Sequence, residues 1–260
     1  MNVDKFAKFD RHYLMYWAVI EHYRTWIKDD APVFGALKAA RDLNLAIVRG
    51  IAKTYQVERT LRPTPRSTKS GQKAPADKAG KTMARLLNNL SSKKNWPKSL
   101  TDRADACLAL AQSSRFPAAE GKTPYSAISK MMWFRRPLGW TMFDRLASKG
   151  IGLGGPPSEE KFKRFYGRLD CANFQETATD IQLILRRRKL GNLFGERVID
   201  KYLMLVGDEA EKKEASIWYT NSVWVRAVPL HQREGVLEAA SEIERLPSVE
   251  KFVGHVKGWN

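Results

Sequence analysis

The chain has 260 residues, 43% of them hydrophobic, 10% aromatic and 28% charged, a make-up that buries a real core in one large or two small domains and excludes a mostly disordered tail. Forty-five Lys and Arg stand against 28 Asp and Glu, a net charge of +17. Two cysteines 64 positions apart, Cys107 and Cys171, remove disulfide frameworks, zinc ribbons and four-cysteine iron–sulfur sites, and point to a reducing cytoplasm.

The chain reads as helices joined by short breaks, with little period-2 alternation. From Asp4 to Lys28, Phe6, Phe9, Tyr13, Trp17 and Ile20 recur at spacings of three and four and predict one helix with one apolar face. Asp30 with Pro32 resembles a helix start, and Phe34, Leu37, Arg41, Leu45, Val48, Ile51 or Ala52, and Tyr55 carry a second long helix to about Leu61. These two are expected to pack as an antiparallel pair. From Pro63 to Lys81 nothing apolar is bulkier than Ala, while Arg66, Lys69, Lys73, Lys78 and Lys81 face a single Asp77. Residues 63–81 therefore read as a flexible basic loop.

Helical patterning returns at Thr82–Leu90, at Thr101–Gln112 with Ser99 or Thr101 as cap, and at Ser126–Arg135. Pro137, Gly139 and the run Gly150–Pro157 punctuate the chain. Further helices are expected from Ser158-Glu159-Glu160 onward, at Glu196–Val206, at Ala210–Val225 and near Arg233–Leu246. No run approaches the ~20 apolar residues that cross a bilayer, and the first residues lack a basic segment followed by an apolar one. Neither membrane insertion nor secretion is expected. The expected fold class is all-α, nine or ten helices in a single 1–260 domain of two lobes with a cleft.

Charge is segregated along the chain. Residues 1–48 and 150–260 each carry a net +1, whereas 49–149 carry 21 basic and 6 acidic side chains, +15 of the +17. Like charges so concentrated repel, and a polyanion relieves that cost while releasing its condensed counterions. Nucleic acid is the leading partner. A solvated basic face is the plain alternative, and a membrane surface is disfavoured because Pro and Gly break the basic segment.

Two nucleotide motifs fail on context. Ala79-Gly80-Lys81-Thr82 imitates the end of a phosphate-binding loop, but Pro75 stands where the first Gly is required and no strand precedes it. Gly150-Ile151-Gly152-Leu153-Gly154-Gly155 is followed by Pro156-Pro157 where a helix should run. His12, His22, His231 and His255 form no metal-binding pair. No metal and no cofactor is expected.

The densest stretch runs from Thr123 to Ala147. A helix from Ser126 points Lys130 and Phe134 along one side, and Pro137 with Gly139 turns the chain so that Trp140 and Phe143-Asp144 come back beside it. Lys130 and Asp144 framed by Trp133, Phe134, Trp140 and Phe143 suit a flat heterocycle, which needs stacking faces and a few polar groups. The alternatives are core packing for the rings and a helix N-cap or an ion pair with Arg145 for Asp144. Lys130 suits a phosphate contact as well as a nucleophile.

Ser126-Ala127-Ile128-Ser129-Lys130, Trp133-Phe134, Pro137 and Phe143-Asp144-Arg145, with Arg197-Val198-Ile199-Asp200-Lys201-Tyr202-Leu203 further on, resemble bacterial relatives of the helix-hairpin-helix DNA glycosylases, over about thirty residues. Some of those relatives act in phage defence by removing bulky modified bases such as glucosylated hydroxymethylcytosine. The resemblance implies a two-lobed all-α fold that flips a base out of double-stranded DNA and cleaves its N-glycosidic bond. It also implies Asp144 as catalytic aspartate and Lys130 as the lysine some members use as amine nucleophile. Arg135, Arg136, Lys149 and the backbone at Gly150 and Gly152 are then expected on phosphates, with the Arg66–Lys81 loop over the duplex. A non-enzymatic nucleic-acid-binding protein, and a helical regulator that meets an acidic partner, are the competing expectations.

Overall fold

The computed structural model describes residues 11–61, 76–92, 94–118, 122–211 and 230–259, without the side chains of 76–79, 209–211 and 230–231. Every regular element among them is helical, as the spacing of apolar residues predicts. No helix among these residues is long and apolar enough to cross a membrane. The chain divides into two compact units.

The first unit comprises Met1–Lys28, Asp144–Pro156 and Arg164–Asn260. It holds α1 (Arg11–Thr25), α7 (Arg145–Gly150), most of α8 (Glu159–Cys171), α9 (Phe174–Arg187), α10 (Gly195–Glu211), α11 (Leu230–Ile243) and α12 (Pro247–Gly258). Helix α10 is its axis and packs against α7, α1 and α9, burying Val198, Ile199, Tyr202, Leu203 and Val206. Backbone meets backbone where α7 crosses α10. A Cβ on Gly150 would strike the Leu203 carbonyl, and one on Gly207 the Leu146 carbonyl, so only glycine permits this spacing.

The face that α1 buries overlaps the expected one only in part. Ile20 is inside as expected, with Leu14, Met15, Ala18, Val19 and Tyr23, while Tyr13 is exposed; Phe6 and Phe9 lie outside the described residues. Tyr13, Tyr16 and Trp17 instead pack ring against ring, with centroids 5.7 to 6.0 Å apart. In its unit α1 packs on α10, α11 and α12.

The second unit comprises Asp29–Phe143 and Pro157–Lys163. Its elements are α2 (Ala31–Ala40), α3 (Leu45–Thr54), α4 (Ala76–Leu90), α5 (Leu100–Gln112), α6 (Tyr125–Arg135) and the first turn of α8. The expected long helix to Leu61 is two helices. Arg41 takes a left-handed conformation with φ of 64° and stops α2. The Asn44 side chain then accepts the Ile47 N–H at 3.0 Å and starts α3. Helix α4 begins at Ala76, so the last six residues of the expected 63–81 loop are helical. Helix α6 is buried all round, from Ala127 through Phe134, which makes it the core of the unit; α3, α4 and α5 pack on it.

Two boundaries follow the sequence closely. The Ser99 hydroxyl caps α5 by accepting the Asp102 N–H at 3.1 Å, and α6 starts one residue before Ser126. Of the expected Ala210–Val225 helix, 210 and 211 close α10 and the remainder lies outside the described residues.

Candidate functional site

In the second unit, the turn after α6 is tied back onto the helix by Ser129. Its hydroxyl donates to the Ser126 carbonyl and accepts the Phe143 N–H, both at 3.0 Å, and its carbonyl accepts the Trp140 indole N–H at 3.0 Å. Gly139 supplies the positive φ of 68°. Arg103 braces the turn through the Leu138 and Gly139 carbonyls at 3.2 and 2.5 Å. The Ser129 of the motif thus has a folding role: it ties Phe143 and Trp140 to α6.

The four rings expected to line a base pocket are core. Trp133, Phe134, Trp140 and Phe143 are 0 to 3% exposed, and each is packed against other rings. Trp133 and Phe134 meet Phe34 at 5.3 and 5.2 Å, Trp140 meets Trp96 at 5.6 Å, and Phe143 meets Phe162 at 5.1 Å. Burial of apolar rings against one another competes with holding them open for a ligand, and in this unit packing prevails.

Lys130 is buried, 7% exposed, with its ammonium over the Tyr55 ring at 5.9 Å from the centroid. The Tyr55 hydroxyl donates to the fully buried Asp30 carboxylate. The half-buried Tyr55 thus meets Lys130 with its ring and Asp30 with its hydroxyl. Asp30 read in the sequence as a helix start, yet its side chain makes no cap bond; residues 30, 55 and 130 are too far apart for any spacing to reveal this.

Asp144, the residue after Phe143, belongs to the first unit. It is the N-cap of α7: its carboxylate accepts the Leu146 N–H at 3.0 Å, and its carbonyl accepts the Ser148 hydroxyl and N–H at 2.6 and 2.9 Å. The carboxylate is half-buried and held in one orientation.

Several residues expected on phosphates serve the fold. Arg135 donates to the Asp42 carboxylate at 2.8 Å, the Arg41 carbonyl at 2.7 Å and the Ser91 hydroxyl at 3.2 Å, and Arg136 to the Ser91 carbonyl at 2.6 Å. Gly150 is a helix-crossing residue, and a Cβ on Gly152 would strike the Trp259 carbonyl. The Ile151 and Gly152 N–H groups are taken by the Ser148 and Lys149 carbonyls, so this loop does not point its amides at an anion. Lys149 is half-buried on α7. Arg66, Lys69 and Lys73 lie outside the described residues, as does the Lys78 side chain.

Lys81 has a different surrounding. Exposed on α4, it lines an open groove of about 670 Å³ between α3 and α4 with Arg49 and Arg85, above Leu45, Ala46 and Ala84. Among the described residues no carboxylate lines the groove. Arg49 and Arg85 were not expected from the sequence; the signals for them are the helical faces Leu45, Ala46 and Arg49 on α3 and Lys81, Ala84, Arg85 and Asn88 on α4.

The Arg197–Leu203 segment also has a structural account. Arg197 pairs with Asp200 inside the first unit, and Lys201 approaches Glu21 of α1 at 3.8 Å. His22 Nε2 accepts the Phe194 N–H at 3.0 Å. Burial, reinforced by Arg197 and Lys201, pushes His22 well below the ordinary histidine range and keeps it neutral. Among the described residues no cluster of His, Cys, Asp or Glu is able to hold a metal ion. No family model, no curated protein and no solved structure matches the chain.

Proposed function

We propose that this protein acts on DNA, engaging the phosphodiester backbone through its second unit and cleaving the N-glycosidic bond of a modified base with Asp144 as the carboxylate. The observation that supports the reading is the charge of the second unit, 23 Lys and Arg against 10 Asp and Glu, which is +13 of the +17. Such a surface attracts a polyanion through counterion release. Base loss leaves an oxocarbenium-like sugar, and a carboxylate held in one orientation either stabilises that charge or orients the attacking water. Hydrolysis then places the water oxygen on the sugar C1′ while the departing base keeps the bonding pair and takes up a proton. The half-buried, cap-oriented Asp144 suits that role. The two unpaired cysteines, buried Cys107 and exposed Cys171, fit a cytoplasmic home.

A second reading, nucleic-acid binding without catalysis, is favoured by the closed packing of Trp133, Phe134, Trp140 and Phe143. One experiment separates the two. The protein is incubated with unmodified duplex and with duplex containing glucosylated hydroxymethylcytosine, and abasic sites are scored by alkali-induced nicking beside a binding titration. Nicking lost in Asp144→Asn supports base excision. Binding with no abasic sites leaves the second reading, and no binding removes both.

A further inference from the structure

The groove between α3 and α4 carries a more specific assignment within the second unit. Its walls come from two segments more than thirty residues apart in sequence. Helix α3 presents Leu45, Ala46 and Arg49, and α4 presents Lys81, Ala84 and Arg85. Each set sits at spacings of one, three or four, so each is one helical face.

The two walls touch directly: the end of the Leu45 side chain lies against Gly80 of α4. One end is clamped by Asn88, whose amide donates to the Leu43 carbonyl at 2.9 Å while its oxygen accepts the Leu43 N–H at 3.0 Å. The cations are therefore presented on fixed helices, and holding them there costs little when a ligand binds.

Charge decides the occupant. Lys81 and Arg85 make no ion pair among the described residues, in contrast to Arg135, which is held by Asp42. Lys53 lies exposed one turn beyond Arg49 and continues the positive stripe along α3. Cations over an apolar floor, with no carboxylate among the described lining residues, suit a ligand that alternates anionic groups with apolar surface. A nucleic-acid strand does so, with phosphates between sugars, and guanidinium groups match phosphate geometry.

We infer that the α3–α4 groove is a backbone-binding site for DNA, in which Arg49, Lys81 and Arg85 contact phosphates of the duplex and Leu45, Ala46 and Ala84 meet the sugar edge between them. This assignment rests on the proposed action on DNA and locates it.

The test measures binding of a short fluorescein-labelled DNA duplex to the full-length protein by anisotropy across roughly 50 to 200 mM salt. Arg49→Glu/Lys81→Glu/Arg85→Glu is compared with a charge-matched control in the first unit, Arg186→Glu/Lys189→Glu/Lys251→Glu, all exposed positions. Removing three phosphate-binding cations lowers the slope of log K against log salt by about 2.7, and affinity falls tenfold or more, whereas the control retains most of the slope. The milder Lys81→Ala/Arg85→Ala, with helicity checked by circular dichroism, guards against a folding defect and lowers the slope by about 1.8. Equal losses in groove and control variants overturn the groove assignment while DNA binding stands. Poly-glutamate that displaces the duplex as well as unlabelled DNA does, at equal charge concentration, also overturns it and identifies an acidic protein as the occupant. Failure of the wild-type protein to bind overturns the assignment together with the proposed function.

Discussion

Replacing Asp144 separates its structural work from its proposed chemistry. The carboxylate accepts the Leu146 N–H at 3.0 Å as N-cap of α7, a helix of only six residues. Asn caps about as well as Asp, whereas Ala leaves the N–H without its acceptor at a cost of about 1 kcal/mol, within a range of roughly 0.5 to 2. In a protein of this size, 1 kcal/mol lowers Tm by about 2 to 4 °C. Asp144→Ala is therefore expected to melt a few degrees below wild type, and Asp144→Asn within about a degree. Thermal unfolding followed by circular dichroism reads both. The base-excision assay then gives a clean comparison: under the proposed function, Asp144→Asn is expected to be folded and capped but inactive. An Asp144→Asn protein as unstable as Asp144→Ala would refute the capping argument, because the anion and not the cap geometry would be stabilising α7. Full activity in Asp144→Asn would refute the catalytic assignment.

Gly207→Ala drives a methyl group into the Leu146 carbonyl where α7 crosses α10, and is expected to cost about 1 to 3 kcal/mol or to yield insoluble protein; a urea melt of Gly207→Ala beside Gly254→Ala, where a Cβ meets open space, checks the contrast. Ser129→Ala removes the acceptor of the buried Phe143 N–H and should lower unfolding free energy by about 1 to 3 kcal/mol, read from the same kind of melt. His22 is held below its ordinary value by burial, Arg197 and Lys201, so as pH falls through about 6.5 the unfolded chain takes up a proton that the folded chain refuses. Its contribution to stability is thus complete above pH 7 and is lost on acidification, at up to about 1.4 kcal/mol per pH unit. Chemical denaturation at pH 7.5 and 5.5 should show a smaller difference in His22→Gln than in wild type, and an unchanged difference would reject the assignment.

Helical character, the α5 cap and the start of α6 were legible because periodicity and capping are local: Ser99 and the Ser126–Arg135 pattern act through neighbours within one turn. The break between α2 and α3 was not, since Leu37, Arg41 and Leu45 keep helical spacing straight through it. What stops the helix there is Arg41 in a left-handed conformation, Asn44 as cap, and Asn88 of α4 holding Leu43. Two of these three signals are local but ambiguous, and the third comes from across the fold.

The aromatic residues around Lys130 show the same limit. A ring that stacks on a ligand and a ring that fills a core both require an apolar residue at the same point of the pattern. Only the neighbours decide, and Phe34, Trp96 and Phe162 occupy the faces that a base would need. Likewise the charge count located +15 in residues 49–149, but it weighed Arg135 and Arg49 alike. Packing turned Arg135 inward to Asp42, Arg41 and Ser91, whereas Arg49 lines the groove between α3 and α4.

The sequence by itself determined an all-helical chain with one strongly positive region, because helix formation and net charge are sums over local residues. Tertiary structure alone decided which cations are held by carboxylates, which rings are core, and that Asp30, Tyr55 and Lys130 meet. Those outcomes depend on contacts between segments distant in sequence, and such contacts leave no period in the chain to read.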